Sequence, residues 1–231
     1  MKTSWNLFKT QFITYGGYKT VLNGLLTTVE IAVFGLIIGV IIGTLIAIVK
    51  VMPKYKKLPR VLDKICTVYV AFFRGTPMVV QLLLGYFVLL PSLGIAADGV
   101  TVAITIFGLN SGAYVSEMMR SGIQSVDGGQ LEASRALGLT YWTSMMKVVI
   151  PQSVKNILPT LGNEFISLVK ETSVVSFIAV VDITKAFRSI GDANYEYIVP
   201  YLMLAAVYLI LVLLITWGIK VMERRMKRNE R

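Results

Sequence analysis

Two rows of polar side chains are spaced so that each row would lie along one face of a helix. Their members are three, four, seven, ten or eleven residues from the first member of the row, close to multiples of the helical turn. The rows are Asn110, Tyr114, Glu117 and Ser121, and Thr160, Asn163, Glu164, Ser167, Lys170 and Glu171. Carboxylates accept hydrogen bonds, whereas hydroxyl, amide and ammonium groups donate them. The two rows together can therefore bind a polar or charged molecule.

Two interpretations of these rows stay open. Ionisable groups at bilayer depth usually face other protein groups or a water-filled path. The rows would line such a path if the two helices are neighbours, and Ser111 would join the lining. In the alternative, Glu117 or Glu164 pairs with a base and fixes how the helices pack. The candidate bases are Arg74 and Lys170.

Composition excludes several classes of enzyme and indicates a membrane protein. Of 231 residues, 55% are hydrophobic and 16% are charged, whereas a typical soluble domain is about 25% charged. The absence of histidine excludes a Ser-His-Asp triad, a Cys-His pair and a histidine-ligated metal, and the single cysteine, Cys66, excludes a disulfide framework. The sequence has no GxxxxGK[ST] phosphate-binding loop, so we expect the chain not to hydrolyse ATP. We predict neither a cofactor nor a metal site.

Five stretches are predicted to be transmembrane helices, because a bilayer core of about 30 Å needs about 20 apolar residues. They are residues 31–49, 65–90, 100–119, 158–181 and 198–221. The first carries Gly35, Gly39 and Gly43 on one face, where another helix can approach closely. The predicted fold is an all-α integral membrane protein in which residues 1–231 form one transmembrane domain.

Lysine and arginine are distributed unevenly over the connections. Sixteen lie in residues 50–64, 120–155 and 220–231, and five lie in the other three connections. Because cytoplasmic loops are enriched in basic residues, the sixteen are predicted to be cytoplasmic, with the N-terminus outside and the C-terminus inside. Topology thus accounts for the net charge of +10, and we predict no nucleic-acid partner.

The polar stretch at about residues 120–159 is predicted to be a cytoplasmic loop containing two short helices. Asp127 can cap the first helix and Gly138 can end it, while Thr140 can cap the second and Pro151 can end it. From these residues alone, an amphipathic element at the membrane surface remains an alternative.

A second irregular feature is Arg74-Gly75-Thr76-Pro77, which interrupts an apolar stretch. Thr76 can cap a new helix and Pro77 can occupy its first turn. Interrupted helices of transporters often supply dipole ends and free carbonyls to a substrate site. Arg74 can instead extend to cytoplasmic headgroups, and its proximity to Lys64 favours this second interpretation.

The polar loop resembles the EAA loop of permease subunits of ATP-binding cassette importers. That motif reads E-A-A, three residues, G, nine residues and I-x-L-P, and the spacing from Glu132 to Pro151 matches it, with substitutions at Ser134, Val148 and Ile150. Further segments resemble the polar amino-acid branch of these permeases. They are residues 73–81, 109–117, 122–126, 129–133, 162–165 and 170–173.

The resemblance implies a type I importer permease of the bacterial plasma membrane that works by alternating access. Its expected partners are ABC ATPase subunits, an extracellular or periplasmic binding protein, a second identical or similar permease subunit and an amino-acid substrate in a lipid bilayer. The implied ATPase-contact residues are Glu132, Ala133, Arg135, Ala136 and Gly138. The path would be lined by Asn110, Ser111, Tyr114, Glu117, Asn163, Glu164, Ser167 and Lys170.

Within or directly beside the predicted membrane segments, four acidic residues against two basic ones favour a polar or cationic amino acid. They are Glu30, Glu117, Glu164 and Glu171 against Arg74 and Lys170.

Two rival functions remain at this stage. An integral-membrane enzyme could use Glu117 and Glu164 as an acid/base pair, but an enzyme does not need a docking loop of fixed spacing. An ion-coupled transporter could act alone, but the chain has no visible internal repeat. The sequence therefore favours a transport subunit that is not itself an enzyme.

Overall fold

The computed structural model describes residues 2–52, 55 and 57–228, and within them the chain forms α-helices and no strand. Lys54, Lys56 and Arg231, which were counted among the sixteen basic residues, lie outside this part. The α-helices are α1 (Lys2–Lys9), α2 (Gly17–Val51), α3 (Lys57–Gly75), α4 (Met78–Leu84), α5 (Leu90–Ser92), α6 (Gly99–Gln124), α7 (Gly128–Ala136), α8 (Tyr141–Ser144), α9 (Ile150–Glu171), α10 (Ile183–Asp192) and α11 (Ile198–Arg228). The predicted all-α class is confirmed.

Three of the described helices, α2, α6 and α11, are long and apolar enough to cross a membrane. A fourth crossing results if α3 and the segment from α4 to α5 act together, although these two are bent by 107°. The predicted break at Thr76-Pro77 is therefore present. The fourth predicted stretch corresponds to α9, which contains Pro159, and to the 3₁₀ helix Thr172–Ile178. This stretch is not among the described helices that are long and apolar enough to cross a membrane, so the count of five stays a prediction.

Helices α2 and α6 pack closely along the predicted glycine face. A Cβ atom added to Gly39 would lie 2.6 Å from the Ser111 hydroxyl oxygen, and one added to Gly43 would lie 2.6 Å from Val115. Gly35 meets Phe107 in the same way, at 3.1 Å. Only residues without a side chain allow the two backbones to approach so closely, and this packing fixes the polar row of α6 relative to α2.

Helix α6 begins at a well-formed cap outside its apolar stretch. The Asp98 carboxylate accepts hydrogen bonds from the backbone N–H groups of Val100 and Thr101, each at 3.0 Å. The Thr101 hydroxyl also donates to Asp98, at 2.6 Å. These three hydrogen bonds hold the pKa of Asp98 below its usual value, and the bond from the Thr101 hydroxyl has the largest effect.

The polar loop has the predicted helix starts and the predicted bend. Asp127 accepts a hydrogen bond from the backbone N–H of Gly129 at 2.8 Å and caps α7. Thr140 accepts from the N–H of Thr143 at 3.2 Å and caps α8. Between these helices, Gly138 has a φ of 84°, in the left-handed region that favours glycine.

The predicted end of the second loop helix at Pro151 is wrong. Helix α8 passes through a π-helical turn, Met145–Val149, directly into α9, and Pro151 lies in the first turn of α9. A proline is tolerated there because the adjacent π-helical turn changes the local pattern of backbone hydrogen bonds. The chain is therefore continuously helical from Tyr141 to Glu171.

Candidate functional site

Helices α6 and α9 contact each other at Ser111, which lies beside the first polar row, and Glu164, which belongs to the second. The Ser111 hydroxyl donates a hydrogen bond to Glu164 Oε1 at 2.8 Å. Ser111 is fully buried and Glu164 is 7% exposed. The predicted proximity of the two helices is thus present, at a hydroxyl–carboxylate pair inside the protein.

Asn110 turns away from the second row and contacts the break between α3 and α4. Its side-chain amide donates to Gln81 Oε1 at 2.9 Å and to the Phe73 carbonyl at 3.2 Å. The amide of Gln81 donates to the Phe73 and Thr76 carbonyls at 2.8 and 3.0 Å. Backbone groups freed by a break in a membrane helix must be paired within the protein, and these two amides pair them. Gln81 belongs to neither polar row, so its spacing did not indicate this role.

The predicted cap at this break is wrong in detail. Pro77 is itself the N-cap residue of α4, and no side chain caps the helix. The Thr76 hydroxyl instead donates to the Phe72 carbonyl at 2.9 Å. Thr76 thus follows the end of α3 at Gly75, and the chain is extended at Pro77, with a ψ of 141°, before α4 starts.

Glu117 lies in an ion-pair network at the end of the bundle that carries α7 and α8, which we call the loop end. One carboxylate oxygen of Glu117 is 3.0 Å from Lys50 Nζ in the last turn of α2. The other is 2.7 Å from a guanidinium nitrogen of Arg120. Among the described residues Glu117 pairs with neither Arg74 nor Lys170, so the network links α2 to α6 through bases that sequence analysis did not consider.

The charge count used to favour a polar or cationic substrate omitted both partners of Glu117. Lys50 and Arg120 lie just beyond the predicted segments, yet each reaches this carboxylate. The apparent excess of acidic groups therefore no longer supports a preference among amino acids.

We expect the Glu117→Gln variant to lose about 1–2 kcal/mol of stability, because Lys50 and Glu117 are only 13% and 20% exposed and Lys50 would lose its charged partner. Thermal unfolding of the purified protein measures the loss. In the double variant, Lys50→Gln should lower the stability of the Glu117→Gln protein much less than it lowers the stability of the parent protein. Additive losses would show that the two groups do not interact.

Arg74 lies beside the polar row of α6. Its guanidinium carbon is 5.4 Å from the ring centroid of Tyr114, within the range of a cation–π interaction. Both residues line a cleft of about 460 Å³ at the loop end, between α6 and α9. The cleft is lined by Arg74, Tyr114, Glu117, Met118, Ser121, Gly122, Ser125, Asn156 and Thr160.

The remaining polar residues of α9 face outward. Asn163, Lys170 and Glu171 are exposed on the isolated chain and Ser167 is half-buried. Asn163, Lys170 and Glu171 therefore lie on the outer surface of α9, whereas Glu164 turns inward. An outward polar face on a helix of a membrane protein is expected to contact water or another protein group.

The residues predicted to contact an ATPase form an exposed surface on α7 and the following turn. All five are exposed. They are Glu132, Ala133, Arg135, Ala136 and Gly138. Ser134, the substituted member of the motif, is instead buried and donates to the Leu131 carbonyl at 2.8 Å. One face of α7 is thus available to a partner while the other packs against the protein.

Comparison with known proteins identifies the family. Residues 35–228 match the family described as the binding-protein-dependent transport system inner membrane component. The chain belongs to this family. The permease is 39% identical over 210 residues to the arginine transport system permease protein ArtQ of Bacillus subtilis (strain 168). This match covers 91% of the permease and 94% of ArtQ.

Further relatives cover nearly the whole length of both proteins. The permease is 34% identical over 225 residues to the L-cystine transport system permease protein TcyB of the same organism, covering 97% of the permease and 92% of TcyB. A crystal structure of an amino acid ABC transporter with histidines matches with 39% identity and a TM-score of 0.83, covering 93% of the permease and 97% of that chain.

Family membership decides between the functions left open by the sequence. It confirms the resemblance to ABC importer permeases and makes the permease a transport subunit of a membrane system rather than an enzyme. A binding-protein-dependent system also differs from an ion-coupled transporter that acts alone. The relatives are themselves named as transport permeases.

Proposed function

We propose that the permease forms the translocation path of an ATP-driven amino-acid importer and couples to separate ATPase subunits through its polar loop. The observation that carries this proposal is the exposed surface of α7 and Gly138, where the residues of the motif face outward. A helix end and a glycine turn without neighbouring atoms leave room for a partner to approach the backbone. The proposed contact residues are Glu132, Ala133, Arg135, Ala136 and Gly138.

Amino acids are the proposed substrates because the relatives are named for arginine and L-cystine transport. An amino acid carries an ammonium and a carboxylate, and the two polar rows offer acceptors and donors for both. Asn110, Ser111, Tyr114, Glu117, Asn163, Glu164, Ser167 and Lys170 are the proposed lining residues. A binding protein outside the cell would deliver the substrate and set most of the selectivity.

Two permease subunits, identical or similar, would form the complete path. The outward polar residues of α9 support this arrangement, since a second subunit or a shared aqueous path would keep Asn163 and Lys170 out of lipid. ATP-driven closure of the two ATPases would move the loops and open the path alternately to each side of the membrane.

The proposal is tested with the purified complex. Affinity purification of the permease from its native host should also recover a soluble ATPase, and reconstituted uptake should require both ATP and the binding protein. Substituting the catalytic residue of the ATPase should stop uptake. Uptake without any ATPase would contradict the proposal.

The proposed orientation places the N-terminus outside and the loop end in the cytoplasm. We expect single cysteines at Thr3 and Asp192, introduced into a Cys66→Ser background, to react with an impermeant maleimide in intact cells, because both positions are exposed and lie outside. A cysteine at Lys57, which is also exposed and lies outside the proposed docking surface, is the matched control and should react only after the cells are opened. Labelling of a cysteine at Lys57 in intact cells would reverse the orientation.

A further inference from the structure

We infer that Arg74 binds the carboxylate of the amino acid as it passes through the cleft at the loop end. The inference rests on the proposed function, since it assigns a substrate group to one residue of the path. It starts from an arginine that has an aromatic neighbour but, within the described part of the chain, no anionic or hydrogen-bonding partner.

The carbonyl groups nearest in sequence to Arg74 already have donors. Phe73 O accepts from Gln81 and Asn110, and Thr76 O accepts from Gln81. The Phe72 carbonyl accepts from the Thr76 hydroxyl. An arginine in the last turn of a helix often donates to such carbonyls, but here these groups are supplied by other side chains.

The carboxylate that lines the same cleft is also taken. Glu117 accepts from Lys50 through one oxygen and from Arg120 through the other. Both oxygens thus already face a cation, which leaves Glu117 a poor counterion for a third. Arg74, which is exposed in this cleft, is therefore free to bind an anion from outside the chain.

The contact with Tyr114 orients the guanidinium for such an anion. With its carbon 5.4 Å from the ring centroid, the guanidinium uses the ring as a cation–π partner and keeps its N–H groups available. These N–H groups match the two oxygens of a carboxylate in a bidentate geometry. The position of Arg74 is thus set by a neighbour that does not compete for the bond.

The surroundings of Arg74 suit the remainder of an amino acid. A cleft of about 460 Å³ lies within the range of pockets that hold small molecules. Ser121, Asn156 and Thr160 line it with Arg74 and provide hydroxyl and amide oxygens that could accept from an ammonium group. Asn156 is itself held in place by a 2.9 Å hydrogen bond to Ser125.

The test uses the complete complex of permease and ATPase with a reporter cysteine in the cleft. Met118→Cys, at a cleft position without a proposed binding role, is introduced into a Cys66→Ser background, and its alkylation by a neutral maleimide is followed without nucleotide. The common L-amino acids are screened first for slowing of this reaction. The most protective one is then compared with its α-amide, which keeps the ammonium but has no carboxylate; for arginine this probe is L-argininamide.

We expect the amino acid to protect the reporter cysteine and the α-amide to give little protection. Arg74→Gln should raise the half-protecting concentration at least about tenfold, a factor equal to about 1.4 kcal/mol, and Arg74→Lys should retain part of the effect because it keeps the charge. Arg225→Gln removes another exposed arginine, on α11, and should leave protection unchanged. A purely structural role for Arg74 would not distinguish the amino acid from its amide.

The inference is overturned if the amino acid and its α-amide protect equally, or if Arg74→Gln leaves protection unchanged. It is also overturned if no amino acid protects the reporter cysteine in a complex that transports. A fourth contrary result is protection by phosphatidylglycerol in nanodiscs when no amino acid protects. The last would assign Arg74 to a lipid headgroup. Failure of the proposed function is separate, because the parent complex would then show no ATP-dependent uptake at all.

Discussion

A Gly138→Asp permease is expected to fold and insert into the membrane but to transport at least about tenfold more slowly than the parent. Gly138 has no neighbouring atom within 4 Å of an added Cβ, so the substitution meets no other residue of the chain. A loss of this size corresponds to about 1.4 kcal/mol of docking energy, within the range for the central residues of an interface. Co-purification of the ATPase and ATP-dependent uptake measure the two parts of the effect.

Backbone strain alone must be separated from loss of docking, because Gly138 has a φ of 84°. Gly94 provides the control, since its φ is 69°, it is exposed and an added Cβ would also meet no atom. Gly94→Asp should carry similar strain and keep transport. Glu132→Ala should impair docking more mildly than Gly138→Asp. Normal uptake by a correctly assembled Gly138→Asp complex would refute the docking role of this turn.

The Glu164→Gln permease is expected to transport at least about tenfold more slowly while keeping its thermal stability. The Ser111 hydroxyl, which donates to Glu164 Oε1 at 2.8 Å, can donate equally to the amide oxygen of glutamine, so the local packing should survive. The negative charge is lost, and with it the strongest acceptor for a substrate ammonium between α6 and α9. A tenfold loss equals about 1.4 kcal/mol in the transition state of transport.

Uptake by the reconstituted complex, measured beside its ATPase rate and the affinity of the binding protein, checks this expectation. The affinity should not change, since it is set outside the permease. Glu30→Gln is the control, because Glu30 also lies on a long apolar helix, α2, but is exposed at its surface. If Glu164→Gln transports at the parent rate, the carboxylate is a packing element and the proposed path is wrong at this point.

Local features of the loop could be predicted because they depend on residues close in sequence. Asp127 and Thr140 cap helices whose N–H groups lie two or three residues further on, and Gly138 adopts the left-handed conformation that few other residues tolerate. The end assigned to Pro151 failed for a different reason. Continuation through the π-helical turn depends on the burial of Met145 and Val149 against the rest of the protein, which the local sequence does not reveal.

The site could be predicted only where a helical row supplies the geometry. Row spacing placed Glu164 on the face of α9 that meets α6, but its partner Ser111 lies beside the first row and is not a member of it. Asn110, which is a member, turns instead to Gln81 and Phe73. One of the two partners of Glu117, Lys50, is 67 residues away, and nothing in the spacing indicates which end of α2 approaches α6. The role of Gln81 likewise appears only once the 107° bend is known.

The unbroken helix that joins the loop to the interior makes α8 and α9 one mechanical arm. From Tyr141 to Glu164 the chain runs through helical turns alone, a distance of about 35 Å at 1.5 Å per residue. No coil interrupts this arm, and its two irregular points are the π-helical turn and Pro159. A tilt of about 10° at the docking surface would displace the far end of a straight arm of that length by about 6 Å. We expect a force applied to the loop to reach Glu164 as movement of α9, reduced only by bending at those two points.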